Sequence, residues 1–121
     1  MALPGKLLER LQETRPELEF HHWVYGFFNT AYGEPASGLK GIIAAAEDRL
    51  VFFGRNGAEE EMSAEIPFSE IRYIQAVLNG TAKVVCKTGA GNAEISYISR
   101  GDAAGFIAHL ETNCGIEAEK S

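Results

Sequence analysis

Three histidines, two cysteines and a run of glutamates are the residues of this chain whose types could carry chemistry. His21 and His22 look like a metal-binding pair, but neighbouring residues on a strand point to opposite faces and do not share one ion. With Trp23 beside them, a structural or interface role is expected. His109 has no Cys or His at a fixed short spacing, so a solvated or capping role is expected. Cys86 and Cys114 form no Cys-x-x-Cys motif, which argues against a zinc or redox site. One disulfide could join them, and two buried free thiols are the expectation, because free Cys packs as a small hydrophobe. Cys114 and His109 lie five positions apart on one helix, about 140° apart in direction, so they do not form a dyad. Glu59-Glu60-Glu61 lacks the oxygen-ligand spacing of a calcium loop. It reads as a solvated edge strand guarded by charge. Gly89-Ala90-Gly91 opens no helix and is read as a hairpin turn rather than a phosphate cradle. No Gly-x-Ser-x-Gly occurs. The expectation is therefore no catalytic residue, no metal ligand and no cofactor site.

The aromatic residues around the first strand are the remaining candidates. Trp23, Tyr25, Phe27 and Tyr32 form a candidate interface. Alternation sends His21, Trp23, Tyr25 and Phe27 to one face, and Phe20, His22, Val24 and Phe28 to the other. Both faces are largely apolar. One must pack the core. The other needs cover, either from an N-terminal helix carrying Leu7, Leu8 and Leu11 or from another subunit. Aromatic residues left exposed would mark an interface.

The elements that must hold these residues follow from periodicity. Residues 4 to 14 read as a short amphipathic helix, with Pro4 in its first turn and Pro16 as its stop. Residues 18 to 28 read as a strand bulged at Gly26. Further strands are expected at 39–45, 49–54, 59–66, 71–78, 82–87 and 93–97, joined by Asn-Gly and Gly-rich turns. In the last of these, Ala93, Ile95 and Tyr97 alternate with Glu94 and Ser96. Ser99 and Asp102 have capping-box spacing ahead of a helix whose stripe is Ala103, Phe106, Ile107, Leu110 and Cys114. Gly115 is its stop. The reading is one domain over 1–121: a helical extension at 1–16, a seven-stranded sheet at 18–99, a closing helix at 100–115 and a frayed tail at 116–121.

The 121 residues suffice for one core. Their 45% apolar and 23% charged content is that of a globular protein. Net charge is −6, with a sequence pI near 5.0, so nucleic acid is not an expected partner. Residues 16 to 39 hold no Lys or Arg, so no cation cluster is there for a phosphoinositide headgroup. The N-terminal stretch lacks a signal-peptide core, and no run reaches membrane-spanning length, so a cytoplasmic location is expected. Asn79-Gly80-Thr81 matches a glycosylation sequon, but its Asn-Gly pair reads as a turn.

The stretch from Gly41 to Phe53, a small apolar strand, a tight turn at Glu47-Asp48 and then Arg49-Leu50-Val51-Phe52, resembles the bacterial pleckstrin-homology (PH) pattern. Ile66-Pro67-Phe68-Ser69-Glu70-Ile71 is similar to the same group's entry into its fifth strand. The closing helix with Phe106 and Leu110 fits as well. The resemblance spans about residues 38 to 114 and points to the YokE-like bacterial PH domains, departing at Ala46, where a Thr or Ser often precedes the turn. It implies an α+β, mainly β fold, a strongly bent seven-stranded antiparallel sheet or split barrel capped by a C-terminal helix. It also implies a non-catalytic interaction or assembly role, with a second copy (a homo-oligomer) or another protein as partner. A second hypothesis is a small-molecule or lipid carrier, its cavity lined by Phe52, Ile71, Ile95 and Phe106.

Overall fold

The computed structural model describes residues 4–30, 39–56, 60–78, 82–89 and 91–120. The chain runs α1 (Pro4–Thr14), β1 (His22–Thr30), β2 (Leu39–Ala45), β3 (Arg49–Asn56), β4 (Glu60–Pro67), a 3-10 turn (Phe68–Glu70), β5 (Ile71–Val77), β6 (Ala82–Thr88), β7 (Gly91–Gly101), α2 (Ala103–Cys114) and β8 (Glu119–Lys120). One sheet holds the strands in the order β4-β3-β2-β1-β7-β6-β5-β8. Two meanders, β1 to β4 and β5 to β7, meet where β1 pairs with β7. All pairs are antiparallel except β5 with β8. The fold is α+β and mainly β, the sheet is open rather than closed, and among the described residues it has eight strands rather than seven.

Alternation gives the sheet two apolar faces. Val24, Phe28, Ile43, Leu50, Phe52, Ile74, Val84 and Ile95 point inward, and Phe28 stacks on Phe52 at 4.5 Å between ring centroids. α2 lays Phe106, Ile107 and Leu110 onto this face. Each such side chain contributes about 1.5–3 kcal/mol by leaving water. Phe52, Ile71, Ile95 and Phe106, the lining suggested for a carrier cavity, belong to this one packed cluster.

The outer face of β2 and β3, bearing Ile42, Ala44, Val51 and Phe53, is covered by Leu7 and Leu11 of α1. Of the two covers left open by the sequence, the chain supplies its own. The link after α1 is tied down as well. Glu65 on β4 pairs with both Arg15 and Arg49, and Arg49 also pairs with Asp48.

Three expected boundaries move, the first being β1, which begins at His22 and not at residue 18 because residues 15 to 21 form the link from α1. The helix cap is Asp102, whose carboxylate accepts from the Gly105 N–H at 2.9 Å, so α2 begins at Ala103 and not at residue 100. Ser99 cannot cap because β7 keeps pairing with β1 as far as Gly101. The tail does not fray over its described part. Ala118 is buried, and Gln75 and Ala76 of β5 pair with Glu119 and Lys120.

Glu111 anchors this tail by accepting from the Ala118 N–H at 2.8 Å and the Lys120 ammonium at 3.2 Å. The Ala118 hydrogen bond, then Lys120, hold its carboxyl below the usual carboxylate range. A depressed carboxylate contributes above its unfolded pKa and stops contributing as pH falls through its folded value. β8 is therefore expected to loosen on acidification below the ordinary carboxylate range. In a pH titration followed by NMR, the Ala118 amide should move with Glu111, and Glu111→Gln should loosen the tail at neutral pH. An Ala118 amide indifferent to both would remove Glu111 as the anchor.

Candidate functional site

The outer face does not end where α1 ends. Trp23 and Tyr25 pack against the α1 cluster and are half-buried. Phe27, farther along β1, is 38% exposed. Tyr32 lies outside the described residues. Of the four candidate interface residues, two are thus largely covered by the chain itself and one stands open.

A residue that alternation grouped with Ala93 and Ile95 joins Phe27. Tyr97 is 65% exposed and meets the Phe27 ring edge-on at 6.1 Å. The cause is a bulge. Tyr25 pairs with Arg100 and Phe27 with Ser96, so Gly26 faces the three residues Tyr97, Ile98 and Ser99. The extra residues turn Tyr97 outward and leave Ser96 buried. Tyr97 takes φ 53°, the left-handed region that a bulky side chain rarely adopts. Gly26 is required opposite it, since a Cβ there would lie 2.6 Å from the Ser96 carbonyl oxygen.

Lys40 completes the ridge. Its ammonium stands 5.2 Å from the Tyr25 ring centroid and 5.7 Å from that of Phe27, within cation–π range. Arg100, the exposed ladder partner of Tyr25, adds a second cation. In a chain of net charge −6, this is a local basic and aromatic surface.

The three histidines also come together, which their distance in sequence concealed. His21 precedes β1, so strand alternation does not govern it. Its ring stacks on His109 at 5.3 Å, and the His22 ring lies 5.3 Å from His109 on a tilt. His109 Nε2 sits 2.7 Å from the Ala46 carbonyl oxygen, and Phe68 meets the ring edge-on. His109 is therefore a buttress between α2 and the β2–β3 turn. Beside it an open cleft of about 350 Å³ is lined by residues that include Glu47, Asp48, Phe68 and Cys114.

The thiols offer little nucleophilic chemistry. Both are free. Burial pushes the Cys86 pKa up to about 12 and the Cys114 pKa up to about 11, so neither is a thiolate at neutral pH. Of the acidic run, Glu59 lies outside the described residues, while Glu60 and Glu61 pair along β4, the sheet's outer strand. Among the described residues, no helix is long and apolar enough to cross a membrane.

No protein-family model matches the chain, and no curated protein matches its sequence. Among solved structures, the C-terminal domain of an unknown protein from Leishmania infantum is similar, with 12% identity and a TM-score of 0.58 over 88% of this chain and 96% of that one. At that identity the likeness concerns the fold alone: this chain shares the architecture of nearly the whole of that domain.

Proposed function

We propose that the chain is a non-catalytic protein-binding module of the pleckstrin-homology-like kind, which docks an acidic segment bearing aromatic or aliphatic side chains on the ridge formed by Tyr25, Lys40, Phe27 and Tyr97. The kinship rests on the residue patterns between Gly41 and Ile71. The order of the two meanders and the helix that follows β7 are consistent with it. The observation that carries the docking role is Tyr97, a large exposed ring in a strained backbone conformation beside Phe27. Strain of this kind persists only where surrounding structure imposes it, and it concentrates at functional positions. Aromatic rings and Arg dominate the binding energy of protein interfaces. Lys40 and Arg100 select for acidic partners. The outer face under α1 is not offered to a second copy, because Leu7 and Leu11 already cover it.

The test is fluorescence anisotropy with two labelled peptides, one alternating Glu and Phe, the other alternating Lys and Phe. The acidic peptide should bind about tenfold tighter or more, and Phe27→Ser or Tyr97→Ser should each weaken it about tenfold. Equal binding of both peptides, or indifference to both substitutions, would overturn the reading. Light scattering on the same samples separates the other occupant: a dimer abolished by Phe27→Ser would put a second copy of the chain on the ridge.

A further inference from the structure

At the histidine corner, one imidazole and two carboxylates from two chain segments converge. Glu19 lies in the link between α1 and β1, His21 immediately before β1, and Glu47 in the turn between β2 and β3. One ligand atom from each lies within 4.8 Å of the other two. The His21 backbone N–H donates to the Ala45 carbonyl at 2.9 Å, which fixes the approach of link and turn. His21 Nε2 stands 3.8 Å from Glu47 Oε1, too far for a direct hydrogen bond. An ion held at about 2.0–2.2 Å from each ligand needs them roughly 3.3–3.5 Å apart. Contraction by at most about 1.5 Å reaches that spacing through side-chain rotation. Both glutamates are exposed and so can rotate. The His21 ring is already oriented, because it stacks on His109, which is held in turn at the Ala46 carbonyl.

We propose that Glu19, His21 and Glu47 bind one divalent transition-metal ion of the zinc or copper class, which clasps the α1–β1 link to the β2–β3 turn. One imidazole and two carboxylates make the borderline donor set such ions prefer. Calcium wants six to eight oxygens, and magnesium parts reluctantly with its water, so neither suits this set. His22 does not contribute. Its ring packs against His109, and its Nδ1 lies beside Gly105. Because the ligands come from separate segments, the bound ion stabilises the folded chain by mass action. The ridge at Tyr97 plays no part, so this site and the docking reading stand or fall separately.

Calorimetric titration of the full chain with zinc chloride in a non-coordinating buffer tests the clasp. One equivalent should bind in the micromolar range, and the melting temperature should rise with added zinc. Loss of even a supporting contact in a metal site costs about tenfold or more. His21→Ala should therefore weaken binding at least that much, and Glu47→Gln should weaken it clearly. His22→Asn and Cys114→Ser should leave it unchanged, with circular dichroism confirming that each variant is folded. The proposal is overturned if zinc fails to bind, or if binding survives His21→Ala and Glu47→Gln. It is equally overturned if magnesium chloride binds as tightly as zinc, because that would reduce the site to general attraction by acidic groups.

Discussion

Phe106→Ala is expected to remove about 3–5 kcal/mol of stability, a large share of the roughly 5–15 kcal/mol available to an ordinary domain. The ring is fully buried, and α2 delivers it to the centre of the inner face. Truncation loses the transfer energy of the ring and leaves a cavity that surrounding strands refill only in part. Urea unfolding measures the effect as a lower midpoint. Ile107→Val, which removes one methylene from the next residue, should cost only about 0.5–1.5 kcal/mol. If Phe106→Ala fails to fold, Phe106→Leu gives a milder loss on the same axis. A Phe106→Ala midpoint close to that of Ile107→Val would mean that α2 does not plug the sheet.

Gly101→Ala should cost roughly 2–6 kcal/mol, combining backbone strain of about 1–3 with overpacking of about 1–3. Gly101 has φ +100°, and a Cβ there would lie 2.3 Å from the Trp23 carbonyl oxygen and 2.8 Å from the Val24 Cα. Both obstacles are backbone of β1, the strand that joins the two meanders, so neither can swing aside. Gly115 provides the control. It also has positive φ, +68°, but no atom lies within 4 Å of its added Cβ. Gly115→Ala should therefore show the backbone strain alone, about 1 kcal/mol. Equal losses at the two positions in urea unfolding would show that the crowding at Gly101 is not felt.

The core was legible because it follows period and turn chemistry. Ile43, Phe52, Ile95, Phe106 and Leu110 are where alternation or helical spacing puts apolar residues, and all are buried. Gly26 was legible as a bulge, because only a missing side chain suits a strand interior at such a point. Its consequence for Tyr97 was not. The extra residues lie on the partner strand, and pairing across 70 positions leaves no local trace in either segment. Ser99 misled for a similar reason: the capping-box pattern is local, whereas the pairing of β7 with β1 that overrides it is not. The same limit hid the candidate metal site. Glu19, His21 and Glu47 share no spacing motif, and link and turn meet through the long-range pairing of β1 with β2 and the His21 bond to the Ala45 carbonyl. β8 is two residues long, too short for any periodicity.

The covering of the outer face by α1 gives the molecule unequal resistance to opening. Of the described α1 side chains, only Leu7 and Leu11 are fully buried, and together they supply about 3–6 kcal/mol before the cost of ordering an 11-residue helix. The sheet beneath is secured by continuous ladders and by α2. α1 is therefore expected to be among the first parts of the molecule to open, while the rest stays folded. Each such excursion bares Ile42, Ala44, Val51 and Phe53 for its duration. An apolar face bared in this way would be open to water before the domain itself unfolds.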